Sequence, residues 1–578
     1  MITTKSLYLA IIVFVCLLSF WPSLFNQFTN WDDDTFVTEN PRIKSLNPQN
    51  LKVILTGRFI GGYQPLTMVS WAVEYHFFKL NSFFYHLDNL ILHIFNVCFV
   101  FLIINLLTKN LNISLITALL FAISPLRVES VGWVAERKDV LFAFFFLLSM
   151  MAYLQKRFWT CWALFVLSCL AKHQAVVMPF ILLSLDYWQK RQGRFSLWLE
   201  KWPFFLAGAI LLSITLVGAL PYYTNVNLYA PVDKFFLSCV AFILYVVKIF
   251  IPYQLACLYP YPAKTNGFFP WEVYASPAVI LLAALVIFKL RHRYPVVLVG
   301  SLFFSVIILL SLMTVAVGSP MSNDRYTYLP SVGLYWIMAY VFQYCFHTRL
   351  KTVVVVAMIV YIFSMGWLTF RRCKIWYNGI SLWSDMINQY PWFAFSYDNR
   401  GTAYTLQGQY DLAFEDFSRA IELNPSLASA YNNRGFIYSK QGKRDLALRD
   451  FNKTIELNPN LAQAYSNRGM VYRLKGNQEQ AILDYTKAIE LKSDYAEAYN
   501  NRGNAYNVKD NYDQAIFDYN KAIELKPDYA EAYNNRALIY YFQHDYAKAW
   551  GDVYKAQELG YKVKQSFFDL LKKAFPRR

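Results

Sequence analysis

A five-residue pattern returns every 34 residues through the last third of the chain, and no other feature restricts the fold so narrowly. Tyr397-Asp398-Asn399-Arg400-Gly401 recurs as Tyr431-Asn432-Asn433-Arg434-Gly435, Tyr465-Ser466-Asn467-Arg468-Gly469, Tyr499-Asn500-Asn501-Arg502-Gly503 and Tyr533-Asn534-Asn535-Arg536-Ala537. Ala413, Ala447, Ala481, Ala515 and Ala549 follow in register, and Pro425, Pro459 and Pro527 fall between units. A unit of this length is a helix pair that cannot bury its apolar face alone, so successive pairs must stack into a superhelix with a concave groove. Five repeats are predicted over residues 394–563, with 564–578 as a cap. The fifth lacks the glycine, taken as a turn residue, and carries Tyr561 where proline stood, as a terminal repeat does.

The period and its small residues are those of tetratricopeptide repeats. Tyr404, Tyr438, Tyr472, Tyr506 and Tyr540 read as packing residues. Asn399, Asn433, Asn467, Asn501 and Asn535 place one amide per repeat in register. Such a ladder could hydrogen-bond an extended peptide without reading its sequence, or the amides could simply suit the solvated side of the first helix. Both readings stand.

The rest of the chain is of another kind. Of 578 residues 56% are hydrophobic and 19% aromatic, although the repeats are polar, so the first two thirds are far more apolar than a soluble domain. Apolar runs lie near residues 7–25, 84–107, 111–130, 139–154, 158–171, 174–188, 203–220, 276–290, 295–317, 329–346 and 351–370. A bilayer core needs about 20 apolar residues, so the shorter runs must borrow from their flanks to give eleven spans. A further run at 235–251, interrupted by Lys248, is a twelfth span or a helix along the interface. The first run lacks a credible cleavage site and is expected to stay as a span. Most cysteines sit within apolar runs and no CxxC pair occurs, which indicates neither zinc nor a disulfide framework. The net charge of +17 falls largely in short loops and through the repeats, and is read as topology and surface without nucleic-acid binding.

With a cytoplasmic N-terminus and a run at 235–251 that does not cross, basic residues such as Lys156, Arg157, Lys190, Arg191, Arg291 and Arg349 occupy the inner loops, as the positive-inside rule asks. Arg371, Arg372 and Lys374 count against that orientation. The same topology gathers five polar stretches outside: Asn30 to Tyr63, Leu126 to Lys138, Lys172 to Gln174, Pro221 to Pro262 and Ser319 to Tyr328. They carry the triplet Asp32-Asp33-Asp34, Glu129, Arg137-Lys138-Asp139, Lys172-His173 and Asp324-Arg325-Tyr326. Singly, such residues cap loops or snorkel toward headgroups. Together on one side of a bundle, the cations can hold a lipid phosphate while a carboxylate takes the proton of a water-soluble acceptor.

The ordered set Asn30-Trp31-Asp32-Asp33-Asp34, Gln64-Pro65-Leu66-Thr67, Tyr85-His86-Leu87 with Asn89 and His93, Ser124-Pro125 through Glu129-Ser130, Glu136-Arg137-Lys138-Asp139 and Asp324-Arg325-Tyr326-Thr327-Tyr328-Leu329-Pro330 resembles the TMTC-type membrane glycosyltransferases. The resemblance implies an all-α protein: a polytopic, GT-C-like bundle over 1–372, with its first outer loop at 30–83, followed by the repeat superhelix. It implies an inverting transfer of a sugar from a polyprenyl or dolichyl phosphate to Ser or Thr of proteins docked by the repeats. Mannose rests on the resemblance alone. Asp33 or Asp32 would be the base, with the register left open by the third Asp, and Glu129 the second acid. Arg325, assisted by Lys138, Lys172 and Arg137, would bind the donor phosphate. This chain has Ser124 and Arg127 where relatives often have His, a departure that bears on donor recognition, and His173 where an acid is expected.

Three adjacent carboxylates at 32–34 offer oxygen ligands to Mg²⁺ or Mn²⁺, though a triplet in a loop is a weak signal. The alternatives are a non-enzymatic membrane scaffold recruiting envelope proteins through the repeats, and a transferase acting on a lipid-linked glycan. The expected location is a bacterial inner membrane with the repeats in the periplasm, or else the endoplasmic reticulum with the repeats in the lumen.

Overall fold

A computed structural model describes residues 4–59, 62–223, 229–315, 321–349 and 351–575. The ends of the run 295–317 and of the cap 564–578, and parts of the outer stretches 30–63, 221–262 and 319–328, fall outside these residues. The described chain is 79% helix without a strand, and it divides into two compact units, Met1–Tyr390 and Pro391–Arg578. The first unit continues past residue 372. Helix Gly379–Gln389 buries Leu382, Trp383 and Met386, and its Asp385 accepts from Arg372 Nη1 at 2.7 Å.

Each expected run is helical over most of its described residues, but length and charge separate them. Thr4–Phe25, Ser82–Thr108, Trp271–Leu290, Pro295–Leu312 and Lys351–Ile375 are long and apolar enough to cross a bilayer. Leu111–Ile123 with Pro125–Gly132, bent by 55°, makes a sixth if the pair is one span. Phe158–Ala171, by contrast, has only 14 residues, roughly 21 Å at the α-helical rise, and Arg137–Leu154 opens on three charged residues. Two helices are shortened where a polar mouth winds into a 3₁₀ turn, at Val134–Glu136 before Arg137–Leu154 and at His173–Val177 before Met178–Trp188. The run at 235–251 belongs to helix Pro231–Phe250, with Leu237, Ala241, Tyr245 and Ile249 as its buried stripe. The interrupting Lys248, in the last turn, reaches past the helix end and donates to the carbonyls of Tyr253 and Gln254.

The expected first outer loop is itself helical, with Pro48–Thr56 and Pro65–Phe78. Thr67 Oγ1 donates to the Ala171 carbonyl at 3.1 Å, pinning the second of these beside Lys172.

The second unit consists of five helix pairs, from Ala394–Leu406 with Tyr410–Leu423 to Ala530–Phe542 with Tyr546–Glu558, capped by Gln565–Ala574. The cap inserts Phe567 and Leu571 around Trp550 and Val553, covering the face that a sixth pair would otherwise bury. The glycines of the repeated pattern are not turn residues. They lie inside the first helix of each pair, and a Cβ on Gly435 would stand 2.9 Å from the Phe451 ring. Gly401, Gly469 and Gly503 face Phe417, Tyr485 and Tyr519 in the same way. In the fifth repeat Val553 takes the ring's place, and Ala537 fits. The turns between paired helices instead hinge on left-handed residues, Gly408, Gly442 and Gly476, then Asp510 and His544.

Each repeated arginine grips the second helix of its own pair. Arg400, Arg434, Arg468, Arg502 and Arg536 each fork both oxygens of Asp416, Asp450, Asp484, Asp518 and Asp552. Arg468, Arg502 and Arg536 also reach back to Asn452, Thr486 and Asn520 of the preceding pair. The expected tyrosines, Tyr404, Tyr438, Tyr472, Tyr506 and Tyr540, pack against these cores.

Candidate active site

The site is built where four polar stretches meet. Its frame comes from helix Ser82–Thr108, whose buried amides hold irregular backbone that a strand or helix would otherwise have to satisfy. Asn89 Nδ2 donates to the carbonyls of Val131 and Trp133, and Asn96 Nδ2 to that of Val140 and to the Tyr328 hydroxyl. His93 Nε2 faces the Ala122 carbonyl, which can only accept. Its Nδ1 therefore accepts from the Tyr328 hydroxyl at 2.8 Å. The motif residues Asn89 and His93 thus fix segments 131–140 and 324–328 against each other.

The three adjacent aspartates have three different fates. Asp33 is buried, and its carboxylate accepts from Thr29 N at 2.8 Å, Thr29 Oγ1 at 3.0 Å and Ala135 N at 2.8 Å. Burial pushes its pKa up to about 7 against these three donors. It is a clamp between the first loop and the turn at 134–136. Asp34 turns to its own neighbour, accepting from Thr35 N and Oγ1. Asp32 has φ of +63°, the left-handed region that Asp tolerates better than most residues. Its partly exposed carboxyl is pushed up by burial and pulled down by Lys138 and Arg325. Because backbone geometry fans the triplet apart, the carboxylates do not converge. Among the described residues no group of three His, Cys, Asp or Glu is arranged to hold a metal.

Glu136, to which the sequence reading gave no role, is the hub. Lys138 Nζ lies 3.0 Å and Arg325 Nε 3.3 Å from its Oε1, and Lys172 Nζ 3.7 Å from its Oε2. Burial alone would raise its pKa, but Lys138, Arg325 and Lys172 hold it well below the usual carboxylate range. Glu129 aligns Arg325, accepting from its backbone N at 3.0 Å and from Nη1 at 2.5 Å. Lys172 also pairs with Asp139, whose other oxygen accepts from Ser130 Oγ at 3.0 Å. Arg325 and Lys138 keep 14% and 15% of their side chains exposed, against 7% for Lys172. Of these three cations, Arg325 and Lys138 are the more exposed. Arg137 faces elsewhere: its nitrogens go to Glu74 at 2.6 Å, Asn89 Oδ1 at 2.5 Å and the Tyr85 carbonyl at 2.7 Å. His173 is kept neutral, its pKa lowered to about 4 by burial and by Lys172 and Lys138.

An indole wall borders this cluster. Trp31 stacks on Trp133 at 4.9 Å and on Trp376 at 6.3 Å, and tilts against Trp383 at 5.3 Å. The Arg325 guanidinium lies over the rings of Trp133 and Tyr326 at 5.4 and 5.1 Å. Trp376 and Trp383 gave no sequence signal, since they follow the last apolar run and match no motif. Asp324, beside Arg325, accepts from the Tyr259 hydroxyl at 2.8 Å and so joins the stretch after Pro231–Phe250 to the site.

In the repeats, the registered amides bond to their neighbours. Asn433 Nδ2 donates to Asp398, Asn467 to Asn432 and Asn535 to Asn500, each linking one pair to the one before. Asn399 donates to the Phe395 carbonyl of its own helix, and Asn501 is half-buried at the same register. A part of the ladder's hydrogen-bonding capacity is therefore spent on stacking.

A model described as TPR repeat matches residues 401–442 and 469–508, and one described as tetratricopeptide repeat matches 428–461 and 496–529. The chain is similar to the Homo sapiens protein O-mannosyl-transferase TMTC3, with 30% identity over 29% of this chain and 20% of the relative. It is also similar to a Caenorhabditis elegans protein O-mannosyl-transferase, with 23% identity over 68% of this chain and 60% of the relative. The matched stretches thus span less than two thirds of either relative. Among solved structures, MamA is 26% identical over 28% of this chain and 93% of its own, with a TM-score of 0.25.

Proposed function

We propose that this TMTC-like membrane protein is a glycosyltransferase that moves a sugar, mannose by similarity to its relatives, from a polyprenyl phosphate to Ser or Thr hydroxyls of proteins. The observation that carries the reading is the set of cations, Arg325, Lys138 and Lys172, around Glu136, in whose field the partly exposed Asp32 lies. Asp32 takes the acceptor proton as the hydroxyl oxygen bonds to the anomeric carbon, since a neutral hydroxyl is a weak nucleophile. The C–O bond to phosphate breaks on the opposite face, and the configuration inverts. The phosphate leaves as an anion held by Arg325 and Lys138, so no general acid is needed. Lys172, Glu136 and Glu129 hold those cations in place beforehand. No step is routed through a metal, because the Asp triplet does not form a site for one.

The repeat array supports a protein acceptor, since stacked helix pairs of this kind present extended binding surfaces. A periplasmic site on a bacterial inner membrane suits the basic inner loops. One charge that opposed it, Arg372, is paired with Asp385.

Mass spectrometry of exported proteins from cells carrying the wild-type gene or Asp32→Asn, matched for expression, tests the reading. Hexose-sized additions on Ser or Thr should be lost in the variant. Identical glycoprotein profiles with the wild-type phenotype intact would sink the transferase in favour of the scaffold.

A further inference from the structure

One buried cation is left over from the mechanism. Arg127 ends the 3₁₀ turn Pro125–Arg127 and is 0% exposed. Its Nη2 donates to Thr327 Oγ1 at 3.0 Å, while Nε and Nη1, which carry most of its N–H donors, have no partner at hydrogen-bond geometry. The guanidinium lies over the rings of Phe121 and Tyr328 at 5.5 and 5.4 Å. The other buried arginines of the unit are each matched to a carboxylate, Arg137 to Glu74 and Arg372 to Asp385, and so is the partly exposed Arg325, to Glu129. Arg127 has no such partner among the described residues. Beside it the Ser124 hydroxyl is buried as well, and the Tyr335 hydroxyl, which donates to the Ile249 carbonyl at 3.2 Å, interacts with both Ser124 and Arg127.

A buried charge without a counter-ion costs several kcal/mol, and a planar fork of donors is what phosphate recognition uses. The position is not remote from the chemistry. Arg127 and Glu129 on one turn face Thr327 and Arg325 on another, making two rungs between the same pair of segments. We propose that Arg127, with Ser124 and Thr327, binds a phosphate group, that of the polyprenyl donor, next to the Glu129–Arg325 pair. This rests on the donor assigned above and makes Arg127 a binding residue of that site. It also gives a physical content to the departure at 124–127 from relatives that carry histidine there.

The test is a binding titration on the full chain in detergent, with undecaprenyl phosphate and, separately, inorganic phosphate as probes, comparing wild type, Arg127→Met and Arg325→Met. Arg127→Met should weaken undecaprenyl phosphate by about ten-fold or more, because a buried partner of the anion is lost. Equal affinity for wild type and Arg127→Met, with Arg325→Met weakened, overturns the role of Arg127 and leaves the donor standing. Binding of inorganic phosphate that depends on Arg127, without binding of the lipid, upholds the anion site and removes the donor. If wild type binds neither probe, the anion site is abandoned, whatever the glycoprotein profiles show. Should Arg127→Met not fold, Arg127→Lys gives the same comparison, since one ammonium cannot reproduce the fork. Unchanged affinity there counts against the proposal.

Discussion

At the scale of single residues, neighbours in sequence do opposite work. Asp32 and Asp33 differ in fate through one left-handed backbone step, which leaves the first partly exposed and buries the second among three donors. Asp32→Asn should lower transfer by about 10²–10⁴-fold, the usual worth of a general base, with thermal stability nearly unchanged because Asn also tolerates φ > 0. Asp33→Asn should do the reverse of a catalytic change. It turns an amide N–H₂ toward N–H and O–H donors, and a loss of about 1–3 kcal/mol is expected, readable as a lowered melting temperature with residual activity in the folded fraction. Equal effects from both variants would show that the two carboxylates act as one unit.

Glu136 carries a pH dependence of known sign. Its folded pKa lies below the unfolded value because Lys138, Arg325 and Lys172 surround it. Its contribution to stability is therefore complete above about pH 4.3, the ordinary glutamate value, and is lost as pH falls further. Glu136→Gln removes the carboxylate that pairs Lys138 and is shared by Arg325 and Lys172, and a destabilisation of about 3–5 kcal/mol is expected at neutral pH. Melting curves from pH 3 to 7 should show the variant's deficit shrinking toward acid. A deficit constant with pH would mean that the carboxylate is not the counter-charge.

At the scale of elements, the repeats show how one pair of positions sets helix spacing. Gly435 lets the first helix approach the ring of Phe451, whereas the fifth repeat achieves the same contact with Ala537 and Val553. Gly435→Ala should cost about 1–3 kcal/mol through overpacking. Phe451→Val alone should cost about 2–4 kcal/mol through the cavity it leaves. The double variant reproduces the fifth repeat, so it should be more stable than the sum of the two losses predicts. A double-mutant cycle on the unfolding free energy measures this, and strict additivity would refute the size matching. The period was plain in the sequence, but the role of its glycine was not. A conserved-looking glycine at a fixed offset reads as a turn, and only the ring sixteen residues on, packed across the pair, shows it to be a contact.

At the scale of the whole molecule, the division falls at Tyr390 and Pro391. The second unit contains its own clusters from Ala413 and Phe417 to the Trp550 cap, and each pair is closed by an Arg–Asp fork within the unit. Residues 391–578 expressed alone should therefore give a soluble, cooperatively melting helical protein. A non-cooperative or aggregated product would show that the membrane unit is required to complete its core.

What the sequence determined by itself follows from forces that act locally. Apolar runs and a 34-residue period report helix formation and nearest-neighbour stacking, so the helices, the five pairs and the membrane character are all legible in the chain itself. The polar motifs, taken in order, also named nearly all the residues that meet at the site. Tertiary structure decided which of them face one another. Arg137 and Lys138 are adjacent, yet one is consumed by Glu74 and the other turns to Glu136. Trp376 joins Trp31 across 345 positions of chain, and Arg127 is singled out only because its neighbours leave it without a carboxylate. Those outcomes depend on helix rotation, on a single left-handed φ and on the competition for a few buried carboxylates. These are properties of the assembled bundle that no short window of sequence contains.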